Sequence, residues 1–568
     1  MHLTSTADSR TDQAVSAERI IPRRSGGRIL VDALACQGVD RLFCVPGESY
    51  LDVLDSLLEH PSIRVVVTKH EGAACEMAEA DAKLTGRPGI CFVTRGPGAM
   101  HASIGVHVAS QDSSPLILFV GQIARQDRYR EAFQEVDYRA MFGSCAKWVV
   151  EIDDPARIPE HVARAFATAM EGRPGPVVVV LPEDVLGEQC ATMDARPVRL
   201  SVLPDPGSHE RDTLQRLLNS TQRPLVIVGG PGWSEDASKD LAGFATAWNI
   251  PVACSFRRQD LFDNRLPQYI GHLSLGMNSA LATRVRAADL ILAIGTRLGD
   301  VTTDGYRLLT PPTPGQRLVH VHRASSELGR LFHAELPIHA SMDAIARLLT
   351  GLPAPAVAPW GEWTRAARLE QEQFGRPSDP HPDEIGVNLA QAVSHLNQVL
   401  DNDAIITNGA GNYTVWVHRY YQYRRPRTEL APTCGTMGYG LPAAVAAKLR
   451  HPDRTVVCFA GDGCFLMYPQ ELATAVEQEA AIVIIVVNNG MYGTIRMHQE
   501  RRFPSRISAT AIQGPDFVAL ARSFGAFAEK VERTDEFMPA FERAHASGRP
   551  ALLELKTDPR QLTPQMRI

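Results

Sequence analysis

A chain of 568 residues is too long for one hydrophobic core, so about three domains are expected. Hydrophobic residues make up 44% and charged residues 21%, an ordinary globular composition that excludes a chain disordered throughout. The formal net charge of −6 offers no electrostatic footing for nucleic acid or a membrane surface, and no apolar run approaches the roughly 18 residues of a membrane span.

Residues 1–26 are polar, lack the apolar stretch of a secretory signal, and read as a flexible leader. Beyond them, short β-branched runs alternate with helical stretches. The runs are IRVVVT (63–68), PLILFVG (115–121), GPVVVVLPED (175–184), PLVIVGG (224–230), ADLILAIGT (288–296), RTVVCFAGDG (454–463) and AAIVIIVVNNG (480–490). They are apolar throughout rather than alternating, as strands covered on both faces of a parallel sheet are. A helix is predicted over 71–86, stopped by Gly86. The class is α/β, doubly wound. Pro-rich stretches at 197–206 and 351–384 divide the chain. They predict an N-terminal domain over 27–195, a middle domain over 200–350, a linker over 351–384 and a C-terminal domain over 385–558. No close internal repeat is visible. Ten cysteines, with no CxxC pair among them, read as free thiols of a cytoplasmic protein.

The sharpest motif is Gly461-Asp462-Gly463, with 24 residues between it and Asn488-Asn489. A strand that stops in a glycine-rich turn lets backbone N–H groups approach a phosphate. The helix and buried strand that follow complete one βαβ unit. That unit predicts Asp462 and Asn489 side by side at the carboxyl ends of adjacent strands, where open parallel sheets bind ligands. A carboxylate and an amide oxygen, completed by phosphate oxygens and a backbone carbonyl, suit octahedral Mg²⁺.

This spacing resembles the cofactor motif of the thiamine-diphosphate (ThDP) dependent decarboxylases and carboligases. The resemblance implies that Asp462, Asn489 and the Met491 carbonyl hold Mg²⁺, which binds the diphosphate. Gly463 and Cys464 would offer it backbone N–H groups. A second stretch, VVVTKHEGAACEMAEADAKLTG, puts Glu71 just after a strand, where a helix N-terminus stabilises a carboxylate. By the same resemblance Glu71 hydrogen-bonds the cofactor's aminopyrimidine and drives deprotonation of the thiazolium carbon.

Further segments resemble acetolactate synthases in particular: TRGPGAMHASIG (94–105), SQDSSPLILFVGQ (110–122), EAFQEVD (131–137) and CGTMGYGLPAAVAAKL (434–449). They imply that Gly435 and Met437 contact the aminopyrimidine, with the Met437 side chain propping the cofactor's bent shape. GAGNYTVW (409–416) would hold the diphosphate, with Asn412 and Tyr413 where synthases carry Gln and His. Gln122, Phe133, Gln134 and Lys147 are the remaining pocket residues; Gln122 and Gln134 would bond the substrate carboxylate, and Lys147 would draw anions in. The implied substrate is a 2-oxo acid, most simply pyruvate. The implied assembly is a homodimer or homotetramer with active sites at subunit interfaces.

Three departures point away from a standard synthase. His498 stands where synthases carry a Trp that favours 2-oxobutyrate as acceptor, and Thr494 where they carry Met. In the middle domain, Asn278, Val301, His322 and Ala324 replace residues through which synthases bind FAD. An empty or differently occupied middle domain is therefore expected ahead of FAD. Glu48, in PGESYLDVLD, replaces a PGG-type loop and would face the reacting centre, or serve as a plain loop charge. The alternatives are a different ThDP reaction (simple decarboxylation, a 2-hydroxyacyl lyase, or a specialised C–C or C–N ligation) and, behind it, a flavin-dependent pyruvate oxidase.

Overall fold

The computed structural model describes residues 21–568. Its architecture is three sheets of six parallel strands, each flanked by helices. All seven apolar runs form strands; six lie inside their sheets, for example Leu116–Gln122, Pro176–Pro182, Val456–Gly461 and Val483–Asn488, almost every residue of which is buried, whereas the run at 63–68 forms the partly exposed edge strand Arg64–Val67. The strands that carry no continuous apolar signal include edge strands. Trp148–Glu151 and Phe527–Val531 close their sheets on one side and are only partly buried, so polar residues are tolerated there. Arg317–His322 is buried, but its two histidines break the apolar run.

In the middle domain the strand order, by position in that domain, is third, second, first, fourth, fifth, sixth. In the N-terminal and C-terminal sheets the order is the same in both: second, first, third, fourth, sixth, fifth. The two outer domains thus repeat a topology that leaves no close trace in the residues. In the C-terminal sheet the order reverses between Ile405–Asn408 and Val456–Gly461, which puts a topological switch point where the glycine-rich turn lies.

Two boundaries differ from the sequence-based expectation. Residues 1–20 of the expected leader lie outside the described residues, but Arg23–Ser25 pairs antiparallel with Gln189–Ala191, and Ser25 caps the helix Gly26–Cys36 through Arg28 N–H (3.2 Å). The folded domain therefore begins inside the stretch that reads as polar, because Ser-Gly-Gly is a helix start as well as a loop composition. Within the expected linker, Gly361–Phe374 is a helix that belongs to the middle domain. Trp360 at its start is buried against Trp248, and Arg284 holds Glu370 on it. The prolines mark only the crossings on either side.

The helix Glu71–Thr85 ends in Gly86 at φ 70°, as its glycine implies. It packs against Pro97–Asp112 in its own domain and Gly440–Arg450 of the C-terminal domain. Close approach depends on missing side chains: a Cβ at Gly105 would lie 2.5 Å from Cys75, and one at Gly89 would lie 1.9 Å from the Ala78 carbonyl. All ten cysteines are unpaired. Among the described residues no helix is long and apolar enough to cross a membrane.

Glu76, on this helix, is fully buried, and neither carboxylate oxygen has a hydrogen-bond partner. Burial raises its pKa well above the ordinary value, aided by Glu79 and opposed by Lys83. The stability it contributes is therefore complete below the unfolded-state value of about 4.3 and is lost as pH rises toward the folded-state value. Glu76→Met is expected to be more stable than the parent at pH 8 by about 1–3 kcal/mol. In thermal melts the difference should narrow toward pH 4.5. A difference that does not change between these pH values would show that Glu76 does not titrate as its burial demands.

Candidate active site

A cavity of about 790 Å³ opens at the carboxyl ends of the C-terminal strands. That is within the usual range for a small-molecule site. The loops after Ile405–Asn408, Val456–Gly461 and Val483–Asn488 converge there. Gly461 pairs with Val487 on the neighbouring strand, so the next residues, Asp462 and Asn488-Asn489, leave the sheet together. The expected turn is tighter than a loop: Asp462–Phe465 forms one helical turn directly on Gly461.

At Gly463 a side chain is excluded, and at Gly461 it would be crowded. A Cβ at Gly463 would stand 2.6 Å from the Tyr492 ring, and one at Gly461 would stand 3.1 Å from Tyr413. The backbone thus reaches the cavity without an intervening side chain. Asp462 is buried and accepts from Gly463 N–H (2.7 Å) and Gly490 N–H (2.8 Å). Burial pushes its carboxyl pKa up. Its contacts are backbone N–H groups rather than a cationic side chain. The two asparagines divide the work. Asn488 donates to Glu554 (2.7 Å) inside the sheet, whereas Asn489 lines the cavity. Asp462 and Asn489 offer the hard oxygen donors that Mg²⁺ takes, and their backbone cradle is closed to a Cβ at Gly463, so the residues fit a metal-bound diphosphate.

Gly435, Met437 and Met491 line the same cavity, as do Thr494 and His498 on the helix Gly493–Arg502. Asn412 and Tyr413 line it too, but their side chains are taken. Asn412 accepts from Thr494 (2.9 Å) and donates to the Leu562 carbonyl (2.9 Å). The Tyr413 hydroxyl accepts from Gly409 N–H (3.0 Å) and touches the Cys464 sulfur (3.3 Å). Cys464 itself is turned inward and accepts from Gly438 N–H (3.2 Å), so only its backbone is offered to a ligand.

Some lining residues were not legible beforehand. Phe256, Arg257, Leu275 and Val301 arrive from the middle domain. Arg257 is buried at φ 56° and donates to the Gly409 carbonyl (2.7 Å), bracing the loop beneath the site. One arginine of the pair Arg257-Arg258 carries no local signal that would single it out. Beyond the expected boundary at 558, a hairpin of Gln561–Thr563 and Met566–Arg567 folds back to form one wall. Arg560 and Arg567 hold it to Asp558 and Asp383.

None of the N-terminal candidates lines this cavity. Glu71 opens its helix as expected, with His70 as cap. Glu48 accepts from Arg95 (2.5 Å), which also holds Glu183 (2.9 Å). Gln122 is buried and donates to the Val136 carbonyl (2.9 Å) while its own oxygen accepts from Ile123 N–H (3.0 Å). Phe133 is 75% exposed, on a loop where Tyr129, Glu131 and Gln134 all adopt positive φ. Lys147 is placed apart from the others. It lines a second cavity of about 450 Å³ with Arg173 and Glu327, donates to the Glu171 carbonyl (2.6 Å), and is pushed down to about 8 by burial. In the middle domain, Asn278 caps the helix Ser279–Ala287, and the His322 ring turns onto Ala324 N–H (3.0 Å).

The chain matches three family models: the N-terminal thiamine pyrophosphate (TPP) binding domain of thiamine pyrophosphate enzymes over residues 24–141, their central domain over 212–349, and their C-terminal TPP binding domain over 409–555. It is 30% identical to the acetolactate synthase large subunit of Corynebacterium glutamicum over 550 residues, covering 94% of this chain and 86% of the relative. With the large subunit of acetolactate synthase isozyme 2 of Escherichia coli K12 it shares 30% identity, over 94% of this chain and 96% of the relative. A probable acetolactate synthase large subunit of Methanocaldococcus jannaschii is also 30% identical, over 95% and 93%. With its glycine cradle, its buried aspartate and three domains matched in order, the chain belongs to the thiamine-diphosphate-dependent enzymes, as a protein similar to acetolactate synthase large subunits.

Proposed function

We propose that this enzyme is a Mg²⁺-dependent 2-oxo acid decarboxylase and carboligase with pyruvate as donor. The observation that carries the reading is the placement of Asp462 and Asn489 on adjacent strand ends over the large cavity. Asp462, Asn489 and the Met491 carbonyl would hold the metal, and Gly463 and Cys464 would present N–H groups to the diphosphate. When bound, ThDP supplies a carbon nucleophile and an electron sink for the pair left behind as carbon dioxide departs. Glu71 would take and return a proton at the aminopyrimidine nitrogen.

Glu48, Glu71, Gln122, Phe133 and Gln134 lie outside the cavity that holds the C-terminal candidates. This supports an assembly in which a second copy brings its N-terminal domain to each cavity, at least a homodimer and preferably a homotetramer. The unpaired thiols support a cytoplasmic protein. Of the middle-domain positions that would meet FAD, Asn278 caps a helix, the His322 ring bonds backbone and Val301 lines the cavity, so FAD is left out of this proposal.

The test is carbon dioxide release from a panel of 2-oxo acids with ThDP and Mg²⁺, with mass-spectrometric identification of the product. Acetolactate from pyruvate is the expected result. A second reading, redirected ThDP chemistry such as simple decarboxylation or another ligation, is favoured by His498 and Thr494 at the cavity wall, because pocket contacts of this size shift acceptor choice by a few kcal/mol. Turnover of another acid, with none of pyruvate, would establish that reading instead.

A further inference from the structure

The Glu71 carboxylate does not stand alone. His101 Nδ1 lies 2.8 Å from Glu71 Oε2. His101 is one turn into the helix Pro97–Asp112, and that helix starts beside the carboxylate: the Cβ position of Gly98 is 3.5 Å from Glu71 Oε1, an ordinary van der Waals distance.

The imidazole is held in orientation from below. The His101 and His70 rings stack with centroids 4.7 Å apart and planes inclined by 27°. His70 is itself fixed, since its Nδ1 accepts from Gly72 N–H (3.0 Å) and its ring meets Tyr468 at 5.0 Å. Burial pushes the His70 pKa down, which disfavours a charged ring in the stack. Facing a carboxylate, His101 Nδ1 must be the donor, which leaves Nε2 as an acceptor. The two side chains differ in access: Glu71 is 14% exposed and His101 54%.

We propose that His101 is a positioning residue for Glu71, holding Oε2 so that Oε1 faces the cofactor, and passing protons between Oε2 and solvent. The proposal rests on the ThDP role of Glu71 given above. The proton balance is simple. A proton arrives from solvent at Nε2, the Nδ1 proton moves to Oε2, and the ring is neutral again in its other tautomer. The reverse sequence discharges Glu71. No electron transfer or co-reactant is needed.

The experiment follows the exchange of the cofactor's C2 proton in D₂O, by quenched NMR, on full-length protein loaded with ThDP and Mg²⁺ and without substrate. His101→Ala should slow exchange at least about tenfold, the low end of what a positioned proton carrier contributes. ThDP affinity should stay within about twofold, because no cofactor contact is removed. Added imidazole should restore most of the exchange rate, since truncation at His101 leaves a space of imidazole size beside Oε2. Exchange at the parent rate, or a loss that imidazole leaves untouched, would overturn the proposal. Glu71→Gln separates the two levels. If it slows exchange while His101→Ala does not, only the role of His101 falls. If Glu71→Gln exchanges at the parent rate, the reading of Glu71 falls and this proposal with it.

Discussion

Glu71→Gln is expected to lower turnover of the 2-oxo acid donor at least about tenfold while ThDP still binds. Glutamine keeps the shape of the side chain and a hydrogen bond toward the cofactor, but it cannot take up a proton. The carboxylate is placed for that work by three local facts. It occupies the first position of the helix Glu71–Thr85. The helix Pro97–Asp112 starts beside it, and His101 holds one oxygen. The measurement is steady-state turnover alongside calorimetric ThDP affinity. An unchanged turnover number would remove Glu71 from the reaction, and with it the central link of the proposed function.

Asp462→Ala is expected to have the largest effect on cofactor retention. The carboxylate is buried, its hydrogen bonds come from backbone N–H groups, and Lys556 acts on it only through space, so a divalent cation would supply opposite charge in direct contact. Removing one member of such a buried charge pair costs about 3 kcal/mol or more, at least about 100-fold in affinity. The check is calorimetric titration of ThDP with Mg²⁺ present, with far-UV circular dichroism to confirm that the fold is kept. Affinity within about twofold of the parent would show that Asp462 holds no metal. By contrast, Asn488→Ala should act first on stability, because that amide is bound to Glu554 inside the sheet.

The residues close in sequence were the ones that could be read in advance. Asp462 and Asn489 belong to one βαβ unit, and a right-handed crossover between neighbouring parallel strands leaves little freedom in where the two strand ends lie. The same holds for Glu71: a strand, a histidine cap and an alanine-rich helix are local events. The central strands were visible because both their faces are covered, which demands unbroken apolar runs. The edge strands Trp148–Glu151 and Phe527–Val531 escape that demand and so escaped notice.

By itself, then, the sequence determined the α/β class, the glycine cradle with its oxygen donors, and a carboxylate at a helix start, because each follows from neighbours within a few dozen residues. Only the tertiary structure decided which of the two asparagines turns inward, that Arg257 crosses from the middle domain to brace the site, and that the hairpin beyond residue 558 walls it. It also decided that His101 meets Glu71, that Lys147 lies in a cavity of its own, and that the outer domains share one strand order. These depend on how separately formed units pack. Packing is governed by the fit of surfaces distant in the chain, down to single absent side chains such as that of Gly105, and no local pattern records it.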